Sequence, residues 1–356
     1  MQNDSDRTDS LAAAVSDAAG DRRALELRGS GSKAFYGRRA RGEPLNIAEH
    51  RGVISYEPTE LVLTARAGTP LADIEALLAD NGQMLAFEPP QFGGAGTLGG
   101  AVAAGLSGPR RPFTGAVRDM VLGIRLINGR GEAMRFGGEV MKNVAGYDVS
   151  RLATGAMGTL GVILDVSLKV LPRPETETSV RLELPWSALY ARIERWLRAG
   201  IPVSAAIHDG TSACIRLSGT VSGVKQGLAE IGGDRLDEGA RFWASWRDQS
   251  HPFFGAALQT PLWRIALPPG RAPEGLPGDL AADWAGQQLW LRSDEHPEHI
   301  RELVEAVGGH ATWFRGGNRD GEVFHPLRLT LARLNQRVKA AFDPQGIFNP
   351  GRLYPE

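Results

Sequence analysis

Cysteine is nearly absent: Cys214 is the single example in 356 residues. One thiol builds no internal disulfide and cannot ligate an iron–sulfur cluster, so any such cluster must sit on another chain. Nor does the sequence contain an uninterrupted run of about 18 apolar residues, which argues against a membrane-crossing helix. The stretch from Met1 to Ser10 is polar, with Asp4, Asp6 and Asp9, and lacks the basic and apolar blocks of a signal peptide. An intracellular chain is the expectation. Neither sign of charge dominates, because 40 Lys and Arg face 41 Asp and Glu. No broad field therefore exists to draw nucleic acid or an anionic membrane surface, and a compact ligand is expected instead.

Glycine is plentiful at 45 residues, with dense clusters at 29–31, 93–108 and 155–161. Such clusters mark sharp turns or close approach of backbone to a ligand. Between the first two, residues 52–56 and 61–65 flank the turn Glu57-Pro58-Thr59-Glu60 and read as a hairpin. A helix follows, with Thr69 as its cap, Pro70 in its first turn, Leu71, Ile74 and Leu78 on one face, and Gly82 at its end. Strands are expected at Met120 to Ile127 and Gly161 to Val170, with a turn at Asn128-Gly129-Arg130-Gly131.

The prolines of Leu171-Pro172-Arg173-Pro174 break the pattern and suggest a domain boundary. Beyond it, seven of the eight tryptophans lie between Trp186 and Trp290 and the eighth is Trp313. They fit the core of a second α+β lobe or a partner-facing surface. Leu331, Leu334, Val338 and Phe342 outline a final helix that stops at Asp343-Pro344.

Gly94-Ala95-Gly96-Thr97-Leu98-Gly99 satisfies G-x-G-x-x-G, with Asp119 downstream. The setting is wrong for a nicotinamide Rossmann site: Pro89-Pro90 interrupts the leading strand, and Gly105 and Gly108-Pro109 cut short the following helix. Gly29-Ser30-Gly31-Ser32-Lys33 lacks the spacing of a P-loop, and Ala34 stands where Ser or Thr is required. What all three clusters share is bare backbone N–H, able to line a pocket for a diphosphate, with Arg28 or Lys33 adding positive charge. The alternative is that these glycines serve only turns and packing.

The order of the clusters resembles the FAD-binding domain of the vanillyl-alcohol oxidase, or p-cresol methylhydroxylase, superfamily. Arg28-Gly29-Ser30-Gly31-Ser32, with Lys33 beside it, is similar to the first pyrophosphate loop. Pro89-Pro90 through Gly96-Thr97-Leu98-Gly99-Gly100 is similar to the second, which is followed by Gly105 and Gly108. Gly155 through Gly158-Thr159-Leu160-Gly161-Val162 resembles the segment that passes the adenine and the flavin ring. Met141 to Asp148, with Tyr147 against the flavin, and the tail Phe342 to Arg352 resemble the FAD-binding accessory subunits of bacterial glycolate oxidases.

That resemblance implies an α+β architecture of three parts. A two-subdomain FAD-binding domain of the p-cresol methylhydroxylase type occupies 1–175, a smaller α+β cap lobe 176–320, and a helix and tail that pack back on the FAD domain 321–356. It implies FAD as cofactor, a larger FAD-linked catalytic subunit and an iron–sulfur subunit as partners, and a small 2-hydroxy acid such as glycolate as electron source. A cytoplasmic location is implied, with association to the inner membrane through partner subunits left open. No histidine lies between Arg28 and Tyr36, so FAD is expected to be non-covalent. The Gly-Asp-Gly-Asn-x-His stretch of the larger relatives is absent, which puts substrate oxidation on this chain in doubt. A non-catalytic assembly subunit with a vestigial pocket and a free-standing oxidase of another small alcohol or acid both stay open.

For catalysis, Arg315, Glu322 and His325 form the best local set of cation and base. Their bland alternative is a solvated loop with His325 packed on Pro326. His296-Pro297-Glu298-His299 reads as a helix start rather than a metal site, which needs three or four ligands. Asp148 either caps a helix or lines the flavin with Tyr147. Gly99→Val is expected to push a side chain against the diphosphate.

Overall fold

A computed structural model describes residues 4–94, 96–138, 148–255 and 260–355. Two antiparallel sheets organise the molecule. The first has five strands in the order Val53–Glu57, Val62–Arg66, Val162–Lys169, Val121–Ile127 and Ala133–Gly137. The hairpin expected at 52–65 is its edge, and the Asn128 turn joins its last two strands, with Gly131 at a φ of +78°. Val162–Lys169 lies at the centre and is buried on both faces, with Asp165 and Ser167 among its buried residues. One face meets the helices Leu71–Asp80 and Leu98–Ala104, and the other meets Thr8–Gly20 through Leu11, Val15 and Ala18.

The second sheet has eight strands, running Asp234–Arg235, Thr176–Leu182, Ala213–Gly219, Val203–His208, Asp279–Asp283, Gln288–Arg292, Leu262–Ala266 and His310–Arg315. Trp196, Trp243, Trp246, Trp263, Trp284 and Trp290 are buried in and around it. Core packing is therefore the role of these six, not a partner-facing surface. Cys214 is buried here too, and burial pushes its thiol up to about 12, far from any reactive range. The chain crosses from the first sheet to the second between Lys169 and Thr176.

Two local expectations need correction. Thr69 does not cap the helix Leu71–Asp80; its hydroxyl bonds instead to Gly52, accepting from the N–H at 2.9 Å, and Pro70 takes the cap position. The final helix, Leu329–Phe342, forms as expected, but none of its residues is fully buried, and Phe342 at its end is the one that packs against a core.

Residues 347–349 lie beside the first sheet. Leu25 N–H donates to the Ile347 carbonyl at 2.7 Å, and Asn349 N–H donates to the Leu25 carbonyl at 2.9 Å. Phe348 is fully buried against Val162 and Leu164. A further polar pair supports the same lobe, since buried His50 lies 3.3 Å from Asp165, whose other oxygen holds Arg125 at 2.5 Å. No sequence signal pointed to it.

Candidate functional site

The strand Leu25–Arg28, paired in parallel with Glu43–Asn46, delivers the chain into the loop from Gly29 to Lys33. Among the described residues, the backbone N–H groups of Gly29, Ser30, Gly31, Ser32 and Lys33 donate to no protein acceptor. These five residues line a cavity of about 280 Å³. Consecutive free donors in one concavity form an anion nest. Gly31 holds a φ of +78° and a Cβ there would meet nothing within 4 Å. The conformation, rather than lack of space, is what calls for glycine at this position.

The loop is held from behind. Thr97 Oγ1 would lie 2.8 Å from a Cβ on Gly29, so only glycine lets the two segments close up. Arg352 donates to the carbonyls of Arg38 at 2.6 Å, Tyr36 at 2.7 Å and Ala34 at 3.1 Å. Asn349 joins three segments, accepting from Leu27 N–H at 2.9 Å and donating to the Met157 carbonyl at 2.7 Å.

Lys33 supplies the cation. Burial lowers its ammonium to about 8, partly offset by Asp248, and Nζ lies 5.6 Å from the Phe92 ring centre. Arg28 is exposed and already paired with Glu26 at 2.6 Å. Ala103, Ala104 and Met157 give the cavity an apolar side. A second cavity of about 420 Å³ abuts it, sharing Arg28, Ala34, Ala40 and Arg352. Donors for a diphosphate, one cation and an apolar flank, extended by an adjoining cavity, fit a dinucleotide larger than the diphosphate alone.

The other glycine clusters behave differently. Gly99 N–H donates to the Ala67 carbonyl, and a Cβ on Gly99 would stand 2.6 Å from the Ala67 Cβ, so this glycine serves packing and its valine variant would strike Ala67. Gly100 lines the cavity, but its N–H is taken by Thr97 Oγ1 at 3.2 Å. Thr97 lines it as well, whereas Leu98 is buried in the core and a Cβ on Gly96 would meet Leu71. Pro89 is buried, and Gly108 accepts from Trp284 Nε1 at 3.0 Å beneath the second sheet.

In the third cluster, Gly155 abuts Gly105, Gly158 packs on Leu27 and Asn349, and Thr159 bonds the Ala156 carbonyl. Gly161 lies against Ile127, and Val162 is core. Asp148 caps the helix Val149–Ala153 by accepting from Arg151 N–H; Tyr147 lies outside the described residues.

The three candidates for chemistry engage separate partners. Arg315 donates to Gln249 at 2.9 Å and stacks 4.5 Å over Phe35. Glu322 pairs with Arg301 at 3.5 Å, while His325 accepts from Ala311 N–H and sits 2.8 Å from Glu305. His296 is the exposed cap residue of the helix Pro297–Glu305, and the described residues hold no cluster of three metal-ligating side chains. The sequence does not mark Asn349, Arg352, Ala103, Ala104 or Met157 as lining residues, although the resemblance implies that the tail packs back on the FAD domain.

Fold and loop together define a flavin-binding protein of the p-cresol methylhydroxylase type. Residues 6–137 match the model of a family described as FAD binding domain. The chain is 46% identical, over the full length of both proteins, to glycolate oxidase subunit GlcE of Escherichia coli strain K12. It belongs to that family of glycolate oxidase subunits. Glycolate oxidase subunit GlcD of Bacillus subtilis is 30% identical over 40% of this chain and 29% of its own length. Among solved structures, an alkyldihydroxyacetonephosphate synthase superposes with a TM-score of 0.66 at 14% identity, covering 96% of this chain and 74% of that one.

Proposed function

We propose that this chain is the FAD-carrying subunit of a glycolate oxidase-like complex, an oxidoreductase acting on the CH–OH group of a small 2-hydroxy acid and passing electrons to an iron–sulfur partner. The observation that carries the proposal is the row of free N–H groups from Gly29 to Lys33 in a cavity, on a chain that matches a glycolate oxidase subunit end to end. When bound, FAD supplies a hydride acceptor that releases electrons singly. The chain's own part is to hold the diphosphate on the loop donors, place Lys33 against its charge, and keep water from one side with Ala103, Ala104 and Met157. Among the described residues, none that lines the cavity is a histidine, cysteine or tyrosine, and the FAD is proposed to be non-covalent.

Substrate oxidation belongs to a larger flavin-linked subunit in this proposal. Arg315, Glu322 and His325 are committed to separate contacts, and the metal-binding stretch of the larger relatives is absent. The iron–sulfur partner would set the location of the assembly, at the inner membrane or free of it. No described helix is long and apolar enough to cross a membrane. The working division is a FAD domain at 1–175, a cap at 176–320 and a returning tail at 321–356.

The chain should be purified alone and its visible spectrum recorded, with released flavin identified by chromatography. Stoichiometric FAD is the expected result, bleached by glycolate only after the partner subunits are added. A colourless, folded chain would leave a vestigial pocket as the better description, and bleaching of the isolated chain would make it a free-standing oxidase.

A further inference from the structure

Among the described residues, the helix Leu329–Phe342 buries none of its 14 residues, whereas every other helix of eight or more buries at least two. Leu329, Leu331 and Leu334 are 67%, 49% and 52% exposed. Leu331, Leu334 and Val338 fall on one face by helical spacing. Attachment is confined to the last turns, where Lys339 bonds the carbonyls of Thr159 and Phe348 and Phe342 lies 6.2 Å from Phe136.

Charge on this element is of one sign. Arg333, Arg337 and Lys339 lie within it, Arg328 caps it, and no acid occurs between Leu329 and Phe342. Lys339 pairs with Asp343; Arg328, Arg333 and Arg337 have no ion pair among the described residues. Leu331, at one end of the stripe, also lines a cavity of about 640 Å³ together with Leu327, Arg328, Phe324 and Tyr354.

We propose that this helix and the cavity beside it form the docking face for a partner chain that offers an acidic-rimmed, protruding apolar segment. A second copy of this chain would bring like charges together across a two-fold contact. A flat lipid surface would meet the leucines and leave the cavity beside them unfilled. Naming the partner as the larger flavin subunit rests on the complex proposed above.

The tagged chain should be co-expressed with that larger subunit in three forms: wild type, Leu331→Asp with Leu334→Asp, and Arg333→Glu with Arg337→Glu. Both variants should keep wild-type FAD content and unfolding temperature, since no buried contact is removed. Each should retain at least about tenfold less of the larger subunit, and wild-type capture should weaken with salt. Equal capture by all three overturns the docking face alone. Failure of the wild type to capture the subunit overturns both this proposal and the complex. Unchanged capture alongside lost binding to phosphatidylglycerol vesicles, or lost self-association, would assign the face to lipid or to a second copy and reject the partner chain.

Discussion

Lys33 is a half-buried cation on the loop that lines the cavity. Burial lowers its ammonium to about 8, so in the absence of a ligand it begins to lose its proton near neutral pH. A diphosphate favours the charged form, and linkage then makes affinity depend on that proton. FAD binding measured by flavin fluorescence is expected to hold steady below pH 8 and to weaken about tenfold per unit above it. Lys33→Met should bind more weakly at pH 7 and lose that slope; an unchanged slope would remove Lys33 from the site. Stability runs the other way. Because the folded value lies below the ordinary 10.5, the unfolded chain binds the extra proton between about 8 and 10.5, and this group's contribution to stability rises across that window.

Asn349 carries a different load at the same scale. Its φ of +41° suits asparagine better than alanine, and its side chain links Leu27 to Met157 behind the cavity. Asn349→Ala is expected to cost about 1–3 kcal/mol in urea unfolding, since two inward-facing groups lose their partners. FAD occupancy should fall with it.

Elements were more legible than the bonds between them. The glycine clusters, the hairpin, the central strand and the terminal helix all follow from composition and spacing. Which cluster keeps its N–H groups free does not, because that depends on distant acceptors such as the Ala67 carbonyl. The terminal helix shows the same limit: periodicity reports an apolar face but not whether this chain covers it. These distinctions give a paired expectation. Gly31→Ala adds a side chain into open space at positive φ, so it should cost roughly 1–2 kcal/mol or less and lower FAD occupancy markedly. Gly99→Ala strikes Ala67 and should destabilise the chain by about 1–3 kcal/mol, with FAD lost only as the fold is lost. If thermal melts and flavin content ranked the two the other way, the diphosphate loop would have been misassigned.

At the scale of the whole molecule, the two sheets are joined by buried charge. Arg216, on a strand of the second sheet and 3% exposed, lies 2.7 Å from Glu88 of the first lobe. Arg110 donates to the same carboxylate from its backbone at 2.8 Å and reaches Glu177 at 2.6 Å. Burial tends to raise Glu177, but Arg216, Ser218 and Arg110 outweigh it, and its carboxyl ends below the ordinary value. That stabilisation is complete above the ordinary carboxylate value of 4.5 and is lost as pH falls through the lower folded value.

Removing Glu88 would leave two inward-facing guanidiniums sharing one carboxylate, a loss on the order of 3 kcal/mol because the orphaned charge cannot return to water. Trp243 reports on this junction, since the Arg216 guanidinium lies 5.0 Å from its ring. Glu88→Ala should therefore lower the unfolding temperature at pH 7 and shift tryptophan emission before the fold melts. Emission and melting that match wild type at pH 7 would mean that the apolar contacts alone set the two sheets together.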